Sequence, residues 1–363
     1  MVEIPRIINA AGKLTALGGS AQSASVARAQ SEAAGQHVDL AQLRRLAGEQ
    51  IAAMTGAEAA CITTGAAAGM AISIAALITG NNLNKVQQLP YTQDDHSIIL
   101  QAGHAVNFGA SVQQMISIGG GQPCIIGDTN SVPERLLKDT LESGEEFSGF
   151  LYVQSHHCVQ QNMIPLGRCI ELCRAFQVPV VVDAAAEEDL TYYISAGADL
   201  VTYSGGKAFS GPTVGFITGR ADLIESCELQ FRGIARTMKV GKEQIFGLLA
   251  AMDEYQDLDE TAHRAQLKLR NQKIMDELIS FDCFSLALKP DEAGREFSRV
   301  AISASDDNFA IRDLVHFLEN GDPSIRTRNH HIDQGLIAID PRELKEKDPQ
   351  AIIDQLKNFA HQL

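Results

Sequence analysis

The chain has 363 residues, 45% hydrophobic and 21% charged, and a formal net charge of −15. This is the balance of a globular chain long enough for one large domain and a smaller one. Its acidity argues against nucleic acid or an anionic membrane as the main partner, while leaving room for a small anionic substrate in a local basic pocket. No apolar run reaches the roughly 18 residues of a membrane span, the first residues make no signal peptide, and the seven scattered cysteines suit a reduced, cytoplasmic setting.

Residues 1–36, with Gly18-Gly19 and a polar Ser/Gln/Ala stretch, read as an N-terminal arm. Val38, Leu40, Leu43, Leu46 and Ile51 mark the apolar face of a helix over 37–54, and a second helix is expected over 66–79. Just before it, Thr63-Thr64-Gly65-Ala66-Ala67 puts small residues at a helix start. Thr64, Gly65 and Ala66 would there offer backbone N–H groups to a phosphate, although an ordinary capped helix looks much the same. A strand at 97–100 leads into Gly103-His104, and His104 can stack on a flat ring or handle protons; an idle loop histidine is the other reading.

Strand 124–126, helix 133–141 and strand 150–154 follow. The last of these ends in Ser155-His156-His157-Cys158, where a histidine can reach a cofactor's phenolic oxygen or the substrate. The spacing does not suit zinc, so no metal is expected. Helix 166–176 precedes Pro179–Asp183, a valine-rich run with the signature of a buried parallel strand. Asp183 closes it at the carboxyl edge, where open α/β sheets bind ligands. A carboxylate there can hold a pyridine nitrogen protonated, and Ala184 and Ala185 leave room for a flat ring; a helix cap or turn also suits an aspartate at that point.

Strands 199–204 and 214–218 flank Ser204-Gly-Gly-Lys207. A lysine presented by glycines at a strand end has what a Schiff-base lysine needs, and Ser204 can add a hydroxyl to a phosphate. Asp183 and Lys207 stand one αβ unit apart, after the phosphate cup. That order points to pyridoxal 5'-phosphate. The basic run holding Arg232, Arg236, Lys239 and Lys242 is either a solvated face or an anion site, with Arg236 and Lys242 as candidate substrate ligands. Helices over 241–256 and 260–279 then lead to strands 299–302 and 335–339 and helices 308–319 and 349–359. In this part Arg326 and Arg328 are candidates to fork onto a substrate carboxylate. The organisation expected is an arm (1–36), a large cofactor-binding domain (37–256) and a small α+β domain (257–363), with strand–helix alternation building a mostly parallel sheet.

Ile7-Ile-Asn9-Ala-Ala-Gly12, Gly103-His104-Ala-Val-Asn-Phe-Gly, Ser155-His-His-Cys-Val-Gln160, Val182-Asp-Ala-Ala-Ala-Glu-Glu-Asp189, Tyr203-Ser-Gly-Gly-Lys207 and Ala235-Arg-Thr-Met-Lys-Val-Gly-Lys-Glu243 occur in the order of a known family. The chain resembles fold-type-I pyridoxal-phosphate enzymes of the selenocysteine-synthase-like branch, in particular the bacterial D-glucosaminate-6-phosphate ammonia-lyases. The resemblance covers about the first two-thirds of the chain. It implies an aminotransferase-like large domain with a seven-stranded sheet, Lys207 as the aldehyde-bound lysine and Asp183 as the ring-nitrogen partner. It also implies a homodimer or larger homo-oligomer with sites at subunit interfaces. The expected reaction is α,β-elimination from a 2-amino-3-hydroxy sugar acid, with Lys207, His104 or His156 moving the protons. Elimination from another (D-)amino acid uses the same core. A tRNA-dependent selenium transferase is the rival reading, against which stand the net charge and the lack, in these residues, of a basic N-terminal tRNA-binding domain.

Overall fold

A computed structural model describes residues 6–155, 158–291, 296–306 and 308–363. The strands, in chain order, are β1 (Ile7–Ala10), β2 (Ala59–Thr63), β3 (Ser97–Gln101), β4 (Gln122–Ile126), β5 (Phe147–Val153) and β6 (Val180–Asp183). They continue with β7 (Leu200–Ser204), β8 (Gly215–Gly219), β9 (Phe284–Pro290), β10 (Ser298–Ala304), β11 (Ser324–Thr327) and β12 (Leu336–Ile339). The chain divides into two units. One is Gln22–Gln256, and the other joins the described residues up to Ala21 with Asp257–Leu363.

In the Gln22–Gln256 unit, seven strands lie in the order β2-β8-β7-β6-β5-β3-β4. The β4–β3–β5–β6–β7 pairings are parallel, and β8 runs antiparallel to both β7 and β2. This is the mostly parallel α/β sheet expected. Strand periodicity sorts its residues onto two cores. Val181, Leu151, Val153 and Leu200 face one side, and Val180, Val182, Phe150, Tyr152 and Tyr203 face the other. The Ala66–Thr79 helix is apolar on nearly every side because it packs on β5–β8 and also meets the Val112–Ile118 and Ala221–Leu229 helices. Its Gly69 lies against Thr202, where an added Cβ would come within 3.2 Å of that side chain.

Two elements of this unit lack a clear sequence signal. Ala24–Ala34 lies within the stretch read as an arm, yet it is a helix capped by the Ser23 side chain and packed on Lys242–Gln256. Only Val26 and Ala33 of it are buried, so its periodicity is faint. Strand β2 (Ala-Ala-Cys-Ile-Thr) carries a single aliphatic β-branched residue, a weak strand signature.

In the other unit β12-β10-β9 form an antiparallel sheet, and β1 pairs parallel with β11. Helices Glu260–Leu278, Ile311–Glu319 and Asp348–Ala360 share one core with Ile8, Ala10, Val300, Ile302 and Ile325. Arg299 is buried between Asp291 (2.6 Å) and Asp340 (2.8 Å). Asp340 also takes Arg342, and its carboxyl is held below the usual range by hydrogen bonds and the two guanidinium charges, which together outweigh burial.

Gly215 fixes how closely β8 approaches the start of the Ala66–Thr79 helix. A Cβ at Gly215 would sit 2.5 Å from the Tyr203 carbonyl oxygen and 2.7 Å from the Gly65 carbonyl carbon, both backbone. Gly215→Ala is therefore expected to cost about 1–3 kcal/mol. Gly167 is exposed on the Leu166–Ala175 helix with open space at its Cβ position, so Gly167→Ala is expected to gain about 0.5–1 kcal/mol. Denaturant titration of both variants checks the pair; a neutral Gly215→Ala would show that the backbone contact yields.

Candidate active site

Asp183 ends β6 with Val153 and Thr202 as its neighbours across the sheet. Its carboxylate is buried, and Oδ1 accepts from the Ala185 N–H (3.2 Å) and the Thr202 hydroxyl (3.3 Å). Burial pushes the carboxyl above the usual range. The charge of Lys207 and those two hydrogen bonds oppose this without cancelling it. Asp183 therefore feels the charge of Lys207.

Lys207 lies in the turn that follows β7. That turn is tied down by backbone: Ser204 N–H donates to Ala185 O (3.2 Å), Gly205 N–H to Val214 O (2.8 Å) and Gly211 N–H to Gly205 O (2.8 Å). Gly205 is required because a Cβ there would meet Val214 and Leu248 within 3 Å. The neighbouring helix begins at Gly65, which has no side chain to cap it. Ala66 opens the helix; Thr64 is half-buried just before it, and the Thr63 hydroxyl donates to Gly65 O (2.9 Å). The Gly65–Gly215 and Gly69–Thr202 approaches bring this helix against β8 and against β7, whose Thr202 is the sheet neighbour of Asp183 and whose end leads into the Lys207 turn.

His104 ends a 3-10 turn that follows β3 and is fully buried. Its Nδ1 accepts from Val153 N–H (3.3 Å), and its ring meets Tyr152 edge-on at 4.6 Å. Nε2 is buried with no hydrogen-bond partner among the described residues. Burial brings the imidazole down to about 4, against a smaller opposing effect of Gln160. Cys158 is pushed up to about 12 by burial and by Asp183, so it too lies near that carboxylate. Nothing in the spacing of Cys158, Tyr152 or Gln160 singles them out; only the turn after β5 brings them together.

The remaining candidates divide. His156 and His157 lie outside the described residues. Arg236 is exposed in the Ile234–Met238 turn, and its side chain has no ion-pair or hydrogen-bond partner among the described residues. Lys242 donates to Ala34 O (3.0 Å) and to Glu243 (3.0 Å), which spends two of its three N–H groups inside the chain. In the other unit Arg326 pairs with Glu319 (3.0 Å), and Arg328 exchanges backbone hydrogen bonds with Ala338.

These residues fit pyridoxal phosphate. A protonated ring nitrogen would relieve the buried Asp183. The uncapped N–H groups after Gly65 suit a phosphate, and the orphaned N–H of His104 is a donor waiting for a ligand acceptor.

Because His104 titrates far below an unfolded histidine (about 6.5), the unfolded chain binds more protons between these values. Stability is then held above pH ~6.5 and lost as the pH falls toward about 4, by on the order of 3 kcal/mol from this group. Unfolding titrations of wild type and His104→Gln across that window are expected to converge as the pH falls. Parallel curves would mean that His104 is not held neutral.

The family model described as SelA, L-seryl-tRNA selenium transferase, matches residues 181–278, a span that includes Asp183 and Lys207. D-glucosaminate-6-phosphate ammonia lyase of Salmonella typhimurium is 36% identical over 98% of this chain and 96% of its own length. A 5'-C-glycyluridine monooxygenase-decarboxylase of a Streptomyces species is 38% identical over 97% of this chain and 89% of its own. The solved structure of D-glucosaminate-6-phosphate ammonia-lyase superposes with a TM-score of 0.90 at 35% identity, covering 99% of this chain and 96% of that one. A pyridoxal-5'-phosphate-dependent protein of Escherichia coli shares the fold at a TM-score of 0.59 and 14% identity, over 95% of this chain and 99% of its own. The cofactor is pyridoxal 5'-phosphate, and the enzyme class is that of carbon–nitrogen lyases. Relatives this similar over nearly the full length make the chain a member of the selenocysteine-synthase-like family of pyridoxal-phosphate-dependent enzymes.

Proposed function

We propose that this enzyme removes ammonia from a 2-amino-3-hydroxy sugar acid, converting D-glucosaminate 6-phosphate to 2-keto-3-deoxy-6-phosphogluconate. The observation that carries the reading is the 36% identity with the ammonia lyase over 98% of the chain. Water leaves across the α,β-bond and water re-enters when the resulting imine is hydrolysed, so the net products are keto acid and ammonia. Bound pyridoxal phosphate supplies the electron sink for charge developing at the α-carbon.

In this reading Asp183 holds the ring nitrogen protonated, its cost of burial offset by that contact. Thr64, Gly65, Ala66 and Ser204 take the phosphate. Ala185 flanks the ring, with His157 as a further cofactor contact. Lys207 Nζ carries the cofactor, takes the α-proton and delivers one to the departing 3-hydroxyl; His156 is the other candidate for that last role. Arg236, Lys242, Arg326 and Arg328 are the candidate anion ligands, and the Arg236 guanidinium has no partner among the described residues. A homo-oligomer would let such residues serve a neighbouring copy.

The 38% identity with the monooxygenase-decarboxylase supports a second reading, in which the same core decarboxylates a substrate with dioxygen as oxidant. One assay separates the two. The purified enzyme with pyridoxal phosphate is given D-glucosaminate 6-phosphate while keto acid, ammonia, oxygen uptake and carbon dioxide are followed. Equal keto acid and ammonia without oxygen uptake is the expected result; oxygen-dependent release of carbon dioxide supports the second reading. Lys207→Ala is expected to lose turnover by at least ~100-fold and to lose the visible absorbance of the lysine-linked cofactor. Asp183→Asn should keep that absorbance while turnover falls by a similar factor. Full activity in Lys207→Ala would remove Lys207 from the mechanism.

A further inference from the structure

His104 invites assignment as a general acid, yet its surroundings hold it in a different state. Val153 N–H donates to Nδ1 (3.3 Å), which makes that nitrogen the acceptor and puts the ring proton on Nε2. A second proton would set a new Nδ1–H against the Val153 N–H, donor against donor. Two side chains keep this geometry. Gln160 Nε2 donates to the Val153 carbonyl (2.9 Å), and Gln160 Oε1 accepts from the Tyr152 hydroxyl (3.2 Å). Tyr152 in turn packs its ring against the imidazole at 82°. A single amide thus grips the residue that hydrogen-bonds His104 and the residue that packs on it.

The lock sits beside the chemistry: Val153 is the sheet partner of Asp183, and Gln154 N–H donates to Asp183 O (2.9 Å). The described groups that face the imidazole from the β5 strand and the turn after it, Tyr152 and Gln160, carry no charge. The Tyr152 hydroxyl is pushed far above the ordinary phenol range, mainly by burial, and Gln160 does not titrate. Meanwhile Nε2 is buried without a partner among the described residues, and buried donors are seldom left so without a functional cause.

We propose that Gln160 and Tyr152 are positioning residues that hold His104, kept neutral by burial, in the tautomer protonated at Nε2, and that this N–H is a fixed hydrogen-bond donor to an acceptor atom of the ligand in the site. His104 then orients and does not shuttle protons. The location of the ligand rests on the reading of the site given above; the tautomer does not.

The test is two-bond 1H–15N correlation on the full-length protein labelled at histidine. His104 is assigned by comparison with His104→Gln, and spectra are recorded without cofactor, with pyridoxal phosphate, and with D-glucosaminate 6-phosphate added. The lock predicts an acceptor-type Nδ1 and a protonated Nε2 that stay unchanged from pH 8 to about 5.5, well above where this buried ring would titrate. In Gln160→Ala the same signals should become a mixture of the two neutral tautomers. Tyr152→Phe, which keeps the ring and loses only the hydroxyl, should show a smaller change of the same sign.

A wild-type His104 protonated at Nδ1, or titrating near 6.5, overturns the lock whatever the enzyme's substrate. An unchanged Gln160→Ala spectrum removes Gln160 from it. A shift of Nε2–H on adding pyridoxal phosphate alone identifies the acceptor as a cofactor atom, and a shift only with D-glucosaminate 6-phosphate as a substrate atom. No shift with either overturns the donor role. Failure of turnover with an intact lock counts against the substrate reading alone.

Discussion

A carboxylate buried at the end of a central strand is the constraint around which the larger unit is arranged. Asp183 sits where β6 leaves the sheet, and its charge is opposed by burial and supported by Lys207, one N–H and one hydroxyl. Each support requires something of the fold. Thr202 must be its cross-strand neighbour, which fixes the β6–β7 register. Lys207 must return over the sheet edge, which the glycine turn after β7 permits. The Ala66–Thr79 helix must lie close on β7, which Gly69 permits. A charged group so deeply buried costs stability unless it is compensated, so the arrangement makes sense as preparation for a cationic partner. The protonated ring of pyridoxal phosphate is such a partner.

How much of this was legible follows from which interactions are local. Helix 66–79 and strand 179–183 stand out because both are central and apolar on nearly all sides, and such segments declare themselves by composition. Asp183 and Lys207 were legible because chain order places them one αβ unit apart at one sheet edge. The helix Ala24–Ala34 and strand β1 were not, since they gain their stability from distant segments, Lys242–Gln256 and β11 respectively. The Tyr152–Gln160–His104 arrangement is invisible for a similar reason. Its contacts cross from the turn after β3 to the end of β5, and no spacing rule encodes a glutamine that grips a carbonyl and a phenol together.

Two relatives, one an ammonia lyase and one a monooxygenase-decarboxylase, match this chain almost equally well over nearly its whole length. Divergence of reaction at such similarity means that the cofactor machinery is common property and that substrate contacts decide what is done with it. In this chain the basic residues are unequally available for such contacts. Lys242 is engaged by Ala34 and Glu243, and Arg326 by Glu319. The side chains of Arg232, Arg236 and Lys239 are exposed and have no partner among the described residues. In a protein carrying fifteen excess negative charges, three neighbouring cations without carboxylate partners keep a local anion affinity that the rest of the surface opposes. In the reading proposed above, an anion drawn there is first selected by charge, and the choice of reaction is left to the groups that would meet its α-carbon, Lys207 foremost among them.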